Sequence, residues 1–268
     1  MPFWKSATDQ LVHYRRRGQR GSKPPLLLIH GAGGDSTHWF GSMGPLARER
    51  LVVAVDLPGH GKSAAFSPLP ATEDLLPATT ELVAKLAEAL GLGRFIIVGH
   101  SMGGAVAQLF ARRFSDRLSG LVLVASAARF PVSEALVQGL QRDAEDLVKT
   151  FAVSCYSPLS DPLQVARWAA AQLRSDTTQL VADFKACKVF DGRAELEHIE
   201  QLTAVVSADD DLLVPPRLQR QLAAGVQRGR LFSVTRAGHF VLVEKPDVVV
   251  ETCAALDAAL LRGTFFEG

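Results

Sequence analysis

Cysteine is scarce in this chain, and charge of either sign is not in excess. Three cysteines, at 155, 187 and 253 of 268 residues, form an odd set with no metal or redox spacing. They argue against a disulfide framework and fit reduced packing residues of a cytoplasmic protein. Lys and Arg number 29 against 28 Asp and Glu, a formal net charge of +1. Nothing there points to nucleic acid or an anionic membrane as partner. Arg15-Arg16-Arg17 is the one basic run; after Leu11–Tyr14 and before Gly18 it reads as a solvated strand end and turn. Long hydrophobic runs are missing too. The N-terminal stretch lacks the apolar core of a signal peptide, and Val248–Leu261 is interrupted by Glu251 and Asp257 and too short for a bilayer. Gly61-Lys62-Ser63 has Asp56 where a phosphate loop needs glycine, and Gly31–Ser36 ends in serine where a dinucleotide fingerprint needs its third glycine. No histidine–carboxylate spacing suggests a metal, so neither metal nor cofactor is expected.

What is present is apolar periodicity, with 47% of residues hydrophobic, enough for one large core. Phe3-Trp4 with Leu11–Tyr14 predicts an opening β-hairpin. Short apolar runs at Leu26–Ile29, Leu51–Val55, Phe95–Val98, Leu121–Val124, Ala204–Ser207 and Leu231–Val234 predict buried strands. Helical spacing predicts helices over Ala78–Leu90, Met102–Phe114, Arg217–Gly225 and Asp247–Leu261. Alternation of the two argues an α/β fold, a mostly parallel central sheet of about eight strands flanked by helices. Between the sixth and seventh strands the rhythm breaks. Ser133–Ala152, Asp161 to Arg174 and Thr177–Phe190 predict three successive helices, a helical cap inserted after the sixth strand. The core would then be 1–129 and 199–268, and the cap 130–198.

Gly99-His100-Ser101-Met102-Gly103 lies between a predicted strand and a predicted helix. In that context G-x-S-x-G is a nucleophile elbow, a strained turn that presents a serine beyond the sheet. A serine hydroxyl needs a base, and the base needs a third group to orient it. Of seven histidines, His239 follows the last strand on a loop opened by Gly238. His30 and His100 flank turn glycines and read as loop supports, while His60 lies in a Pro-Gly-His-Gly turn at the site's edge. Asp209, Asp210 and Asp211 follow the adjacent strand and offer the acid. An oxyanion needs two backbone N–H donors. Met102 supplies one, and the glycine-rich loop His30–Gly34 the other.

These motifs together resemble the α/β-hydrolase superfamily, in its capped, esterase-like branch. The resemblance rests on His30-Gly31-Ala32-Gly33, Asp56–Ser63, Gly99–Gly104, Asp211–Pro215 and Gly238-His239. It implies that Asp211, four residues before Pro215, is the acid, with Asp209 and Asp210 solvated, and that Ala32 gives the second oxyanion amide. The implied site is Ser101, Asp211 and His239 with the Ala32 and Met102 N–H groups. Serine at 101 argues against the related dehalogenases and epoxide hydrolases, which attack with carboxylate.

Aromatic residues that could line an acyl pocket are Trp39, Phe40, Phe130, Phe151, Tyr156, Trp168, Phe184 and Phe240. Phe130 and Phe240 adjoin the expected active edge. The expected activity is hydrolysis of carboxylic esters with a small to medium apolar acyl group, the partner being a small-molecule ester. Three alternatives keep the same residues: hydrolysis of a carbon–carbon bond in a ring-cleavage product, of an ester on an acyl carrier protein, or slow-turnover ligand sensing. The first needs an acid–base group that no motif supplies. The second favours a basic cap, yet residues 129–198 hold 8 Lys and Arg against 10 Asp and Glu.

Overall fold

Leu26–Ile29, Val52–Val55 and Phe95–His100 are buried at every position, as strands covered on both faces must be. The computed structural model describes residues 2–172, 176–264 and 266. The strands are β1 (Phe3–Lys5), β2 (Leu11–Arg17), β3 (Leu26–Ile29), β4 (Val52–Val55), β5 (Phe95–His100), β6 (Leu118–Val124), β7 (Thr203–Ala208) and β8 (Gly229–Val234). They form one eight-stranded sheet in the order β1-β2-β4-β3-β5-β6-β7-β8. The first two pairings, β1 with β2 and β2 with β4, are antiparallel; all others are parallel.

Strand residues alternate between two cores. Leu27, Ile29, Val53, Ile97 and Leu123 face one apolar cluster, while Leu28, Ala54, Ile96, Val98 and Val122 face the other. The described helices are α1 (Phe40–Leu46), α2 (Leu75–Ala89), α3 (Met102–Arg113), α4 (Glu134–Arg142), α5 (Ala144–Ser154), α6 (Pro162–Gln172), α7 (Thr177–Val189), α8 (Pro216–Gly225), α9 (Val241–Glu244) and α10 (Pro246–Arg262). Helices α2 and α3 cover the first face, α1 and α10 the second. No described helix is long and apolar enough to cross a membrane.

One local expectation changes and another holds. The helix expected over Ser133–Ala152 is two helices, because Asp143 (φ −154°, ψ 84°) leaves the helical region. Its carboxylate accepts the Asp146 N–H at 3.0 Å and starts α5 afresh, so four helices rather than three stand between β6 and β7. The arginine run is the solvated strand end that the sequence suggests. Arg15–Arg17 continue β2 against Val52–Ala54, and the chain reverses only at Gly18, φ +73°.

Register places the site. Ile29 pairs with Gly99, and His100 with Val124, so the loops after β3, β5 and β6 leave the sheet side by side. Both ends of the four-helix segment meet at that edge, where Gly192 N–H donates to Ala128 O at 2.8 Å.

Candidate active site

The chain closes from β5 into α3 so tightly that only glycine fits on either side of Ser101. A Cβ on Gly99 would lie 2.3 Å from the Gly103 carbonyl oxygen, and one on Gly103 would lie 2.4 Å from that of Ile29. Ser101 itself takes φ 51° and ψ −119°, left-handed backbone outside glycine's usual role. Its N–H donates to Val124 O at 2.9 Å, and its carbonyl accepts Ser126 Oγ–H and Gly104 N–H, both at 2.8 Å. The turn is thus pinned from three elements.

Asp211 follows β7 and is 1% exposed. Its Oδ1 accepts the N–H groups of Leu213 (2.9 Å) and Val214 (2.8 Å), and its Oδ2 accepts Gln219 Nε2–H at 3.0 Å. The remaining direction of Oδ2 meets His239 Nδ1 at 2.9 Å. With Nδ1–H donating there, Nε2 keeps a lone pair free to take a proton. His239 and Ser101 line the same cavity. Among the described residues no hydrogen bond joins Ser101 Oγ to His239, a contact that often tightens only with substrate.

Gly31 packs directly on the elbow, where its Cβ would fall 2.9 Å from that of Ser101. That approach brings the Ala32 backbone beside the first turn of α3, whose Met102 N–H lies among the helix's orphan donors. Neither N–H has an acceptor among the described residues.

Buried histidines surround this centre. His100 Nε2–H donates to the His239 carbonyl at 2.9 Å, with the two rings 4.8 Å apart. Burial first, then the neighbouring His239, holds its pKa well below the ordinary value, so it stays neutral. His30 Nδ1–H donates to Gly31 O at 2.7 Å while its Nε2 accepts Leu57 N–H at 2.9 Å. Burial, aided by His60, lowers its pKa to about 3. His30 and His100 are therefore loop supports, as their glycine neighbours suggest. Cys155 and Cys187 also line the cavity, but burial pushes both thiols up, away from the thiolate form.

Of the aromatic candidates, Phe130, Phe184 and Phe240 line the cavity beside Ser101. Tyr156 stacks on Phe240 from behind, ring centroids 5.1 Å apart. Trp39 does not reach the cavity. It is fully buried in the second core cluster, because the short turn Ser36–Trp39 points it inward. Phe40 is 56% exposed under the Arg15 guanidinium. The side chains of Phe151 and Trp168 lie outside the described residues. The wall facing Ser101 is instead aliphatic: Leu136 and Leu140 of α4, Leu147 of α5, Leu180 of α7. The lining holds no Lys, Arg, Asp or Glu among the described residues.

A family model described as the alpha/beta hydrolase family matches residues 26–252. The chain belongs to that family. Among relatives of this hydrolase is RutD of Pseudomonas savastanoi pv. phaseolicola (strain 1448A / Race 6), whose name offers carbamate hydrolysis as a proposal. It is 29% identical over 88% of this chain and 94% of its own. A pimeloyl-[acyl-carrier protein] methyl ester esterase of Nitrosomonas europaea is 27% identical over 88% and 96%. Other curated relatives are much longer, and the hydrolase spans 30% and 33% of two of them. The enol-lactonase of Burkholderia xenovorans LB400 superposes with a TM-score of 0.86 at 24% identity, over 95% of this chain and 99% of that one, a likeness of fold.

Three groups that matter here were not singled out by sequence reasoning. Gln219 holds Asp211 from α8; Glu244 accepts Gly238 N–H at 2.9 Å; Asp183 of α7 meets His60. Asp210, expected to be solvated, accepts Ser157 Oγ–H at 2.6 Å.

Proposed function

We propose that this hydrolase cleaves carboxylic esters whose acyl group is small to medium, apolar and uncharged. The observation that carries the reading is a serine on a left-handed elbow at the wall of an aliphatic cavity, beside a histidine already oriented by a buried carboxylate. His239 Nε2 takes the Ser101 proton as Oγ attacks the ester carbonyl. The Ala32 and Met102 N–H groups receive the oxyanion, each worth about 3–4 kcal/mol in comparable sites. His239 then protonates the departing alkoxide, leaving an acyl-enzyme. Water, deprotonated by the same nitrogen, releases the acid and restores Ser101.

The absence of a charged side chain among the described lining residues supports an uncharged acyl group, since a carboxylate buried there would go unpaired. We place the cap at 130–198, and the buried free cysteines favour a reducing compartment such as the cytoplasm. Turnover of p-nitrophenyl esters from acetate to octanoate tests the proposal. Activity should peak at short to medium chains, succinate-type monoesters should be poor, and Ser101→Ala should lose at least 10³-fold, of the order seen for triad members. An unlabelled Ser101 after fluorophosphonate treatment, with no turnover at any chain length, sinks it.

A further inference from the structure

His60 lies on the loop after β4, and Asp183 on α7 in the cap; both are buried, at 3% and 1% exposure. His60 Nε2 stands 2.8 Å from Asp183 Oδ2. The same nitrogen is 3.3 Å from the Gly33 N–H, one residue beyond Ala32 in the oxyanion loop. On the other side of the ring, Nδ1 faces the Pro58 carbonyl at 2.9 Å, an acceptor only, so Nδ1 carries a proton. That leaves Nε2 with two exclusive roles. Protonated, it donates to Asp183 and cannot accept from Gly33; unprotonated, it accepts from Gly33 and turns a lone pair toward a carboxylate.

The cap end of this contact is built. Asp183 Oδ1 accepts Gln179 Nε2–H at 2.8 Å, and Oδ2 has no hydrogen-bond donor apart from the imidazole among the described residues. Gln179 lies directly on the Gly59 turn, where a Cβ would fall 2.4 Å from its Oε1. One helix carries both the pair and the cavity wall. Leu180, Phe184 and Cys187, neighbours of Asp183 on α7, line the cavity beside Ser101.

We propose that Asp183 and His60 are positioning residues of the ester site: their ion pair seats the α7 wall of the acyl cavity on the core, and its proton decides whether the ring holds the cap or the oxyanion loop. The inference rests on the ester-hydrolase reading for its kinetic consequences and on geometry alone for the pair. The charged and titratable groups facing His60 are Asp183 from α7, Asp56 from its own loop, His30 beyond β3 and His38 before α1. Asp183 also faces Cys187, whose thiol burial keeps protonated. Burial opposes a charge on His60, but the Asp183 carboxylate, the Pro58 carbonyl and Asp56 together outweigh it and raise its pKa. The pair is therefore intact below the ordinary histidine value and is lost as pH rises through the raised one.

Two measurements test this. In the wild-type protein, imidazole NMR, with His60→Gln to assign the signal, should show His60 titrating above the ordinary histidine range, and Asp183→Asn should bring it down. This readout needs no catalysis, so it stands if the function reading fails. Kinetically, Asp183→Asn should raise KM for p-nitrophenyl hexanoate about tenfold with the acetate kcat nearly unchanged, a loss of binding made by the wall and not by the reacting atoms. Wild-type KM for the hexanoate should rise on the alkaline side, and the variant should lose that dependence. A His60 that titrates at or below its ordinary value in the wild type overturns the pair. Hexanoate and acetate kinetics that shift together in Asp183→Asn, with the pH profile unmoved, overturn its positioning role. Failure of fluorophosphonate to label Ser101 would instead count against the ester reading.

Discussion

At Ser101 the backbone occupies a region that costs a non-glycine residue about 1–3 kcal/mol, and three hydrogen bonds to its peptide groups keep it there. Asp211 is held still more completely, with two backbone N–H groups on one oxygen and Gln219 and His239 on the other. Because each Asp211 oxygen is an acceptor surrounded by donors, an amide cannot replace the carboxylate without facing N–H to N–H. In Asp211→Asn the His239 ring is expected to reverse its tautomer, accepting at Nδ1 and presenting Nε2–H to Ser101. Ester turnover should fall by about 10³–10⁴-fold, the scale measured when an analogous aspartate becomes asparagine. Steady-state kinetics on p-nitrophenyl butyrate checks this, with circular dichroism confirming the fold. A loss under tenfold would mean that Asp211 does not orient the base.

Among elements, the join between α9, the His239 loop and the segment linking α5 to α6 runs through one carboxylate. Glu244 accepts Gly238 N–H on Oε1 (2.9 Å) and, on Oε2, Ser157 N–H (2.9 Å) and Ser160 Oγ–H (2.6 Å) from the segment between α5 and α6. The same segment presses on Gly238, where a Cβ would sit 2.6 Å from the Cys155 carbonyl oxygen. Glu244→Gln keeps the size but puts an NH₂ where a donor already points. It should cost about 1–3 kcal/mol of stability, read as a lower urea midpoint at constant m. A midpoint within error of wild type would show that the clamp holds nothing. None of this clamp could be read from the amino-acid order, because its partners come from positions 157, 160 and 238 and meet only in the fold. The strands were legible for the opposite reason: β3 and β4 are apolar at every position and bounded by glycine, proline or polar residues, a local signal. The break at Asp143 was hidden, since the apolar spacing of α4 runs on in phase into α5 and only the backbone angles depart.

Across the whole molecule, Ser101, Asp211 and His239 could be brought to one edge by motif because each follows a strand's carboxyl end, an address that chain order preserves. The histidine shell has no such address. His30, His38, His60 and His100 come from two loops and the end of β5 and gather around one centre, so their burial and mutual repulsion arise only on folding. That gathering predicts how stability depends on pH. Burial lowers His30 to about 3 and His38 to about 4, and holds His100 well below its ordinary value. Below an unfolded-state value of about 6.5, the unfolded chain binds protons that these native rings refuse. Their contribution is thus complete above pH 6.5 and declines as pH falls toward 4. His60 has the opposite sign: its raised pKa stabilises the fold below about 6.5 and is forfeited as pH rises above the native value. Three depressed groups against one raised group make the acid side steeper. Urea unfolding between pH 5 and 9 should show a maximum near neutrality. The expected fall on the acid side is at least about 1 kcal/mol per pH unit below pH 6, with a shallower decline on the alkaline side as pH rises through the raised His60 value. Replacing His100 by Gln, which cannot titrate, should flatten the acid limb while leaving the alkaline one in place. An acid limb unchanged in that variant would mean that the shell is not what acid attacks.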